Sequence, residues 1–99
     1  MSSSKVVVSQ AQLEYKLKKG LNDVNYLKVT DKTLDGCGSA FSVFIVSKDF
    51  DNVALIERQR MVNKILEDEM KEIHAFTFEK TYTPAQYTKY LKRMEAKKQ

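Results

Sequence analysis

Tryptophan is absent from this 99-residue chain, and histidine, cysteine and proline occur once each, as His74, Cys37 and Pro84. Glycine is scarce too, with only Gly20, Gly36 and Gly38. Each scarcity removes a class of protein. One cysteine cannot form an internal disulfide, which fits a reducing compartment; cytosolic residence is expected, and nuclear residence is compatible with it. The glycines supply no phosphate-cradling loop, and no two of them have the Gly-x-x-Gly spacing of an RNA clamp. No Ser/His/Asp or Cys/His arrangement comes with a supporting motif, so no enzymatic activity is expected. No apolar run approaches membrane-spanning length, and the longest useful one, Phe41 to Val46, is strand-sized. The start, Met1 to Lys5, has one basic residue ahead of three valines, too short and too weak for a signal peptide and without the arginine-rich character of a transit peptide. No membrane association is expected.

What remains is an ordinary globular composition, 42% hydrophobic and 30% charged, in a length suited to one domain. The expected organisation is a flexible N-terminus over residues 1–8 and a single domain over 9–97. The net charge of +4 is uneven: residues 83–99 hold Lys89, Lys92, Arg93, Lys97 and Lys98 against Glu95, which accounts for the whole excess. A basic tail on a neutral domain reads first as a solvated helix end and second as a site of anionic contacts.

Ser9-Gln10-Ala11-Gln12 has the form of a capping box, and Leu13, Leu17 and Leu21 follow on one helical stripe. Lys18 and Lys19 suit the negative end of that helix, and Gly20 reads as a left-handed stop, giving a helix over roughly 10–19. Val24 to Thr33 alternates loosely as a half-exposed strand. Phe41 to Val46 reads as a strand covered on both faces, so the two form an antiparallel hairpin whose connection carries Cys37. Asp51 or Asn52 can cap a middle helix with Val62, Ile65, Leu66 and Met70 on its buried face and Glu67, Asp68, Glu69 and Lys71 mostly outside it. Ile73 to Phe78 reads as a third strand with His74, Phe76 and Phe78 on one face, parallel to its predecessor because a helix intervenes. Thr83-Pro84-Ala85-Gln86 starts a last helix, with Tyr87, Tyr90, Leu91 and Met94 as its apolar stripe. The order α-β-β-α-β-α predicts an α+β fold, a three-stranded mixed sheet with helices packed on one face.

Three stretches together resemble the BolA family: Phe50-x-x-x-x-Leu55-x-x-Arg58-x-Arg60-x-Val62-Asn63, then Ile73-His74-Ala75-Phe76, then Thr83-Pro84 with an aromatic at Tyr87. The resemblance implies a type II KH-like α+β domain, in agreement with the element order. The segment from Thr33 to Phe41 is similar to the cytosolic branch, whose loop carries a cysteine. Departures are Arg58-Gln59-Arg60 where the family has Arg-His-Arg, Tyr87 where tryptophan is usual, and Asn52 where glycine is frequent.

Taken alone, Cys37 reads as an inert intracellular thiol and His74 as a structural or exposed side chain. The resemblance implies more: His74 as the cluster ligand of the Ile-His-Ala motif and Cys37 as a second ligand to the iron of a shared [2Fe–2S] cluster. A two-iron cluster needs four ligands, and carboxylates are poor substitutes for thiolates there. With at most two ligands of its own, such a chain shares its cluster. The implied partners are a monothiol glutaredoxin with its Cys-Gly-Phe-Ser motif and glutathione bound through it, the free chain being a monomer. Arg58, Arg60, Phe76 and Lys89 are candidate partner contacts. The alternative is a KH-like nucleic-acid-binding regulator using Arg58, Arg60 and Lys64, opposed by the missing Gly-x-x-Gly loop and the acidic Glu67-Asp68-Glu69 stretch.

Overall fold

The computed structural model describes residues 8–33 and 40–97. Helix α1 spans Gln10–Gly20, strand β1 Val24–Asp31 and strand β2 Ala40–Ser47. After a 3-10 turn at Lys48–Phe50 come helix α2, Leu55–Ile65, the short helix α3, Glu67–Met70, strand β3, Ala75–Tyr82, and helix α4, Pro84–Lys97. The sheet order is β1-β2-β3, antiparallel between the first two and parallel between the last two, so the α+β reading and its mixed three-stranded sheet hold. No helix among the described residues is long and apolar enough to cross a membrane.

Alternation along β2 sorts the sheet into two faces. Phe41, Val43 and Ile45 join Val29 under Leu13 and Leu17 of α1, Val62 of α2, Leu66 and Phe50 in one buried core, and Val8, one residue ahead of the Ser9 cap, is part of it. The residues between them face the other way. Phe44 meets Tyr26, Tyr82, Tyr87 and Tyr90 edge-on or nearly so at ring-centroid distances of 5.4–6.0 Å. Tyr87 and Tyr90 belong to α4, so that helix lies on the face opposite α1 and α2. This corrects the expectation of helices on one face. Because β2 is the central strand, each of its faces needs its own cover.

Several local expectations resolve differently in space. Ser9 Oγ accepts from Gln12 N at 3.1 Å, but the Gln12 amide turns away to Glu69, leaving half of a capping box. Gly20 stays inside α1 rather than ending it in a left-handed turn. Its use is close approach: a Cβ there would sit 2.8 Å from Cγ1 and Cγ2 of Ile65, so the missing side chain lets α1 and α2 touch. Neither Asp51 nor Asn52 caps α2. Ser47 caps the 3-10 turn, Asn52 takes the left-handed conformation at φ 62°, and Ala54 stands at the N-cap of α2 with no side-chain bond. At the last helix all signals agree: Gln86 N donates to Thr83 Oγ1 at 3.2 Å and Thr83 N donates to Gln86 Oε1 at 3.0 Å.

Glu69, expected outside, is only 6% exposed. The chain breaks its helix at Leu66 and restarts, which swings Glu69 back onto α1. There Gln12 Nε2 donates to Oε2 at 3.1 Å and Lys16 Nζ lies 3.3 Å from Oε1. Burial works against the charge, but the Glu69 backbone N–H, Gln12 and Lys16 outweigh it and hold the carboxyl below its ordinary value of 4.5. A lowered folded-state pKa means that the bridge stabilises the fold above 4.5 and is lost as pH falls through the folded value. Glu69→Gln is therefore expected to be less stable than the parent at neutral pH by about 1–3 kcal/mol. That gap should close on acidification below pH 4.5, as followed by urea unfolding at each pH.

Candidate functional site

His74 stands immediately before β3, in the bend that follows α3. Hydrophobic anchors flank it: Ile73 and Phe76 both pack against the core, and Phe76 also packs edge-on to Phe78 at 5.1 Å. The chain is thus pinned on both sides while the imidazole is exposed. Among the described residues it has no hydrogen-bond, ion-pair or ring partner. It is not within the strand, as expected, but one residue ahead of it.

Parallel pairing puts this position beside the hairpin loop. Ala75 is the register partner of Ala40, and Phe76 that of Phe41. Ala40 closes the loop at its base: its N–H donates to Thr33 Oγ1 at 2.9 Å, its carbonyl accepts from Thr33 Oγ1 at 3.3 Å, and Lys32 N donates to the same carbonyl at 2.7 Å. Cys37 itself lies outside the described residues. It precedes Ala40 by three positions in the chain. No group of three or more His, Cys, Asp or Glu side chains able to hold a metal ion occurs among the described residues.

The expected partner contacts separate. Phe76 is half-buried beside His74, and Lys89 is exposed on α4. Arg60 is exposed and paired with Glu57 at 2.6 Å. Arg58 does not belong with them. It is 9% exposed, and its guanidinium donates from Nε to Val53 O at 2.8 Å and from Nη1 to Thr81 O at 2.7 Å and Gln86 Oε1 at 2.8 Å. One side chain thus ties the approach to α2, the end of β3 and the cap of α4 together, over the Phe50 ring at 5.9 Å. Its expected surface role is corrected to an internal one: a planar fork can satisfy several fixed carbonyls at once, which makes burying the charge tolerable. Thr81 is six residues along β3 from Ala75, about 20 Å at strand rise, so this network sits at the other end of the sheet. Sequence spacing alone gave one signal for it, the capping-box Gln86 whose oxygen Arg58 shares.

Residues 13–86 match the family model described as BolA-like protein. The chain belongs to the BolA family. Protein BOLA2 of Arabidopsis thaliana is 46% identical over 81 residues, covering 82% of this chain and 85% of that protein. BolA-like protein 2 of Mus musculus is 39% identical over 82 residues, covering 83% and 93%. Among solved structures, the crystal structure of a bol-like protein from Babesia bovis superposes with a TM-score of 0.73 at 39% identity, over 95% of this chain and 98% of that one. The BolA resemblance read from the three sequence stretches thus stands, and with it the fold.

Proposed function

We propose that this BolA-family chain is a non-enzymatic adaptor that pairs with a monothiol glutaredoxin and shares a [2Fe–2S] cluster with it, in cluster trafficking or iron-status regulation. His74 supplies one iron ligand and Cys37 a second, with glutathione and the glutaredoxin thiol completing the set. The observation that carries this reading is the state of His74: an exposed imidazole with no hydrogen-bond, ion-pair or ring partner among the described residues, set between the core-packed Ile73 and Phe76 and next to Ala75, the register partner of Ala40. A ligand must present an uncommitted nitrogen and resist being pulled away, and His74 meets both demands.

The residues fit a shared cluster rather than an enclosed one. One histidine and one cysteine give the chain at most two ligands of the kinds such a cluster takes, so the remaining ligands come from outside the chain. A cluster held partly by imidazole has a raised potential and a protonatable ligand, which suits a cargo that is passed on. The likeness to proteins named BolA-like protein 2 supports the glutaredoxin-pairing branch. Phe76, half-buried close to His74, is an apolar contact for the partner, and Arg60 and Lys89 are left as peripheral charges. The nucleic-acid alternative loses ground, because Arg58 is buried and Arg60 is tied to Glu57.

The test is anaerobic co-purification with a Cys-Gly-Phe-Ser glutaredoxin in the presence of glutathione. A coloured heterodimer is expected, and Cys37→Ala should perturb its visible spectrum less than His74→Ala. Colour confined to the glutaredoxin's own homodimer contradicts the reading.

A further inference from the structure

At the sheet end away from His74 a cleft of about 500 Å³ opens between the start of α2 and the last residues of β3, with Ala54, Leu55, Arg58, Lys80 and Thr81 in its walls. Three independent features give it a directed chemistry. The first is the helix start. Ala54 is the N-cap and has no side chain to accept a hydrogen bond; the amides of Glu57 and Arg58 return to Ala54 O, while those of Leu55 and Ile56 have no acceptor among the described residues. An uncapped end of an eleven-residue helix concentrates partial positive charge there.

The second is Arg58. Nε and Nη1 are fully engaged, which fixes the plane of the guanidinium, but both N–H groups of Nη2 lack an acceptor among the described residues. A charged side chain nine-tenths buried is thus held rigid with two donors to spare. The third is Thr81, 3% exposed, whose Oγ1 is buried with no hydrogen-bond partner. Lys80 adds a positive charge to the wall, and Leu55, 61% exposed, adds an apolar surface. Glu79 also lines the cleft, with Oε1 accepting from Ser42 Oγ at 3.3 Å, and its charge disfavours a doubly charged ligand.

We propose that this cleft binds a carboxylate carrying a short apolar body. The carboxylate takes the Nη2 face of Arg58 and the free amides at the start of α2, and the apolar part lies on Leu55, Val53 and Phe78. A planar, singly charged group matches a guanidinium edge better than a compact dianion does. The same chemistry is offered by a free aliphatic acid and by the C-terminus of a peptide.

The test is a titration of the full, ¹⁵N-labelled chain with hexanoate, acetate and inorganic phosphate at constant ionic strength. Hexanoate should shift Leu55, Ile56, Thr81 and the Arg58 Nε–H saturably, leave Ala75 unmoved, and bind at least about tenfold more tightly than acetate, as burial of its extra methylenes requires. Ala54→Asp keeps the fold, because aspartate is a better N-cap than alanine, and its own carboxylate accepts from the Ile56 amide and puts a negative charge where the ligand's would lie. It should weaken hexanoate binding by about tenfold or more. N-acetyl-leucyl-leucine and its C-terminal amide separate the sources. Tighter binding of the acid than of hexanoate, lost in the amide, assigns a peptide C-terminus; equal binding assigns a free acid. Shifts that never saturate, phosphate binding more tightly than hexanoate, or unchanged affinity in Ala54→Asp would each overturn the proposal.

Discussion

Arg58→Ala is expected to destabilise the protein by about 3–5 kcal/mol, which is large beside the 5–15 kcal/mol that holds a typical domain. The substitution removes three charge-assisted hydrogen bonds at 2.7–2.8 Å and takes the guanidinium donors from the carbonyls of Val53 and Thr81, while the Gln86 oxygen keeps its bond from Thr83 N. Each acceptor left buried without a donor costs about 1–3 kcal/mol, and the Phe50 ring loses its cation as well. For a domain of this size the thermal midpoint should fall by at least about 12 °C. Arg58→Lys keeps the charge but not the fork, and should fall between the two. The neighbouring Arg60→Ala, which breaks only an exposed pair, should change stability by less than about 0.5 kcal/mol. Urea unfolding monitored by far-ultraviolet circular dichroism separates these cases. An Arg58→Ala protein within about 1 kcal/mol of the parent would show that the three contacts are not what joins α2, β3 and α4.

Phe44→Ala should be the next most damaging change, at about 3 kcal/mol, and its effect should be local. Phe44 is the only described aromatic of β2 on the α4 face, and its ring touches four tyrosines. Helix α4 has no buried residue of its own, and everything from Leu91 to Lys97 is exposed. Its docking rests on Tyr87 and Tyr90, which reach the sheet through Phe44, through the Tyr26–Tyr87 stack at 5.4 Å and through Tyr82 against Tyr90 at 5.6 Å. The cap at Thr83 and Gln86 is independent of Phe44 and stays held by Arg58. Hydrogen exchange should therefore accelerate from Tyr87 onward in the variant while β2 and β3 keep their protection. Uniform acceleration across the sheet would mean that the aromatic cluster belongs to the global core.

The sequence carried the element order, the parallel pairing and the family resemblance because each rests on local signals: caps, periodicity and motif spacing. It did not carry the side of the sheet taken by α4. Phe41-Ser-Val-Phe-Ile-Val is apolar on both faces, so its pattern shows that both are covered without saying which helix covers which. It misplaced Arg58 and Glu69 for a shared reason. A charged residue on a helix is read as solvent-facing by default, and only tertiary partners far along the chain, Thr81 and Gln86 for one, Gln12 and Lys16 for the other, reverse that. The candidate site was half legible. The motif singled out His74, and the structure adds that it is exposed, without a hydrogen-bond, ion-pair or ring partner among the described residues, and flanked by the core-packed Ile73 and Phe76. Cys37 lies outside the described residues, three positions ahead of Ala40, which pairs with Ala75.

The proposed ligand role of His74 is open to one direct measurement, the visible absorption and circular dichroism of the anaerobic glutaredoxin complex formed with parent and His74→Ala chains. His74 is exposed and has no hydrogen-bond, ion-pair or ring partner among the described residues, so the substitution should leave the unfolding curve of the free protein unchanged. If the imidazole binds iron, the parent complex has a spectrum distinct from that of the glutaredoxin homodimer, and His74→Ala loses that spectrum or changes it strongly. A His74→Ala complex of the same stoichiometry with the parental spectrum would contradict the assignment.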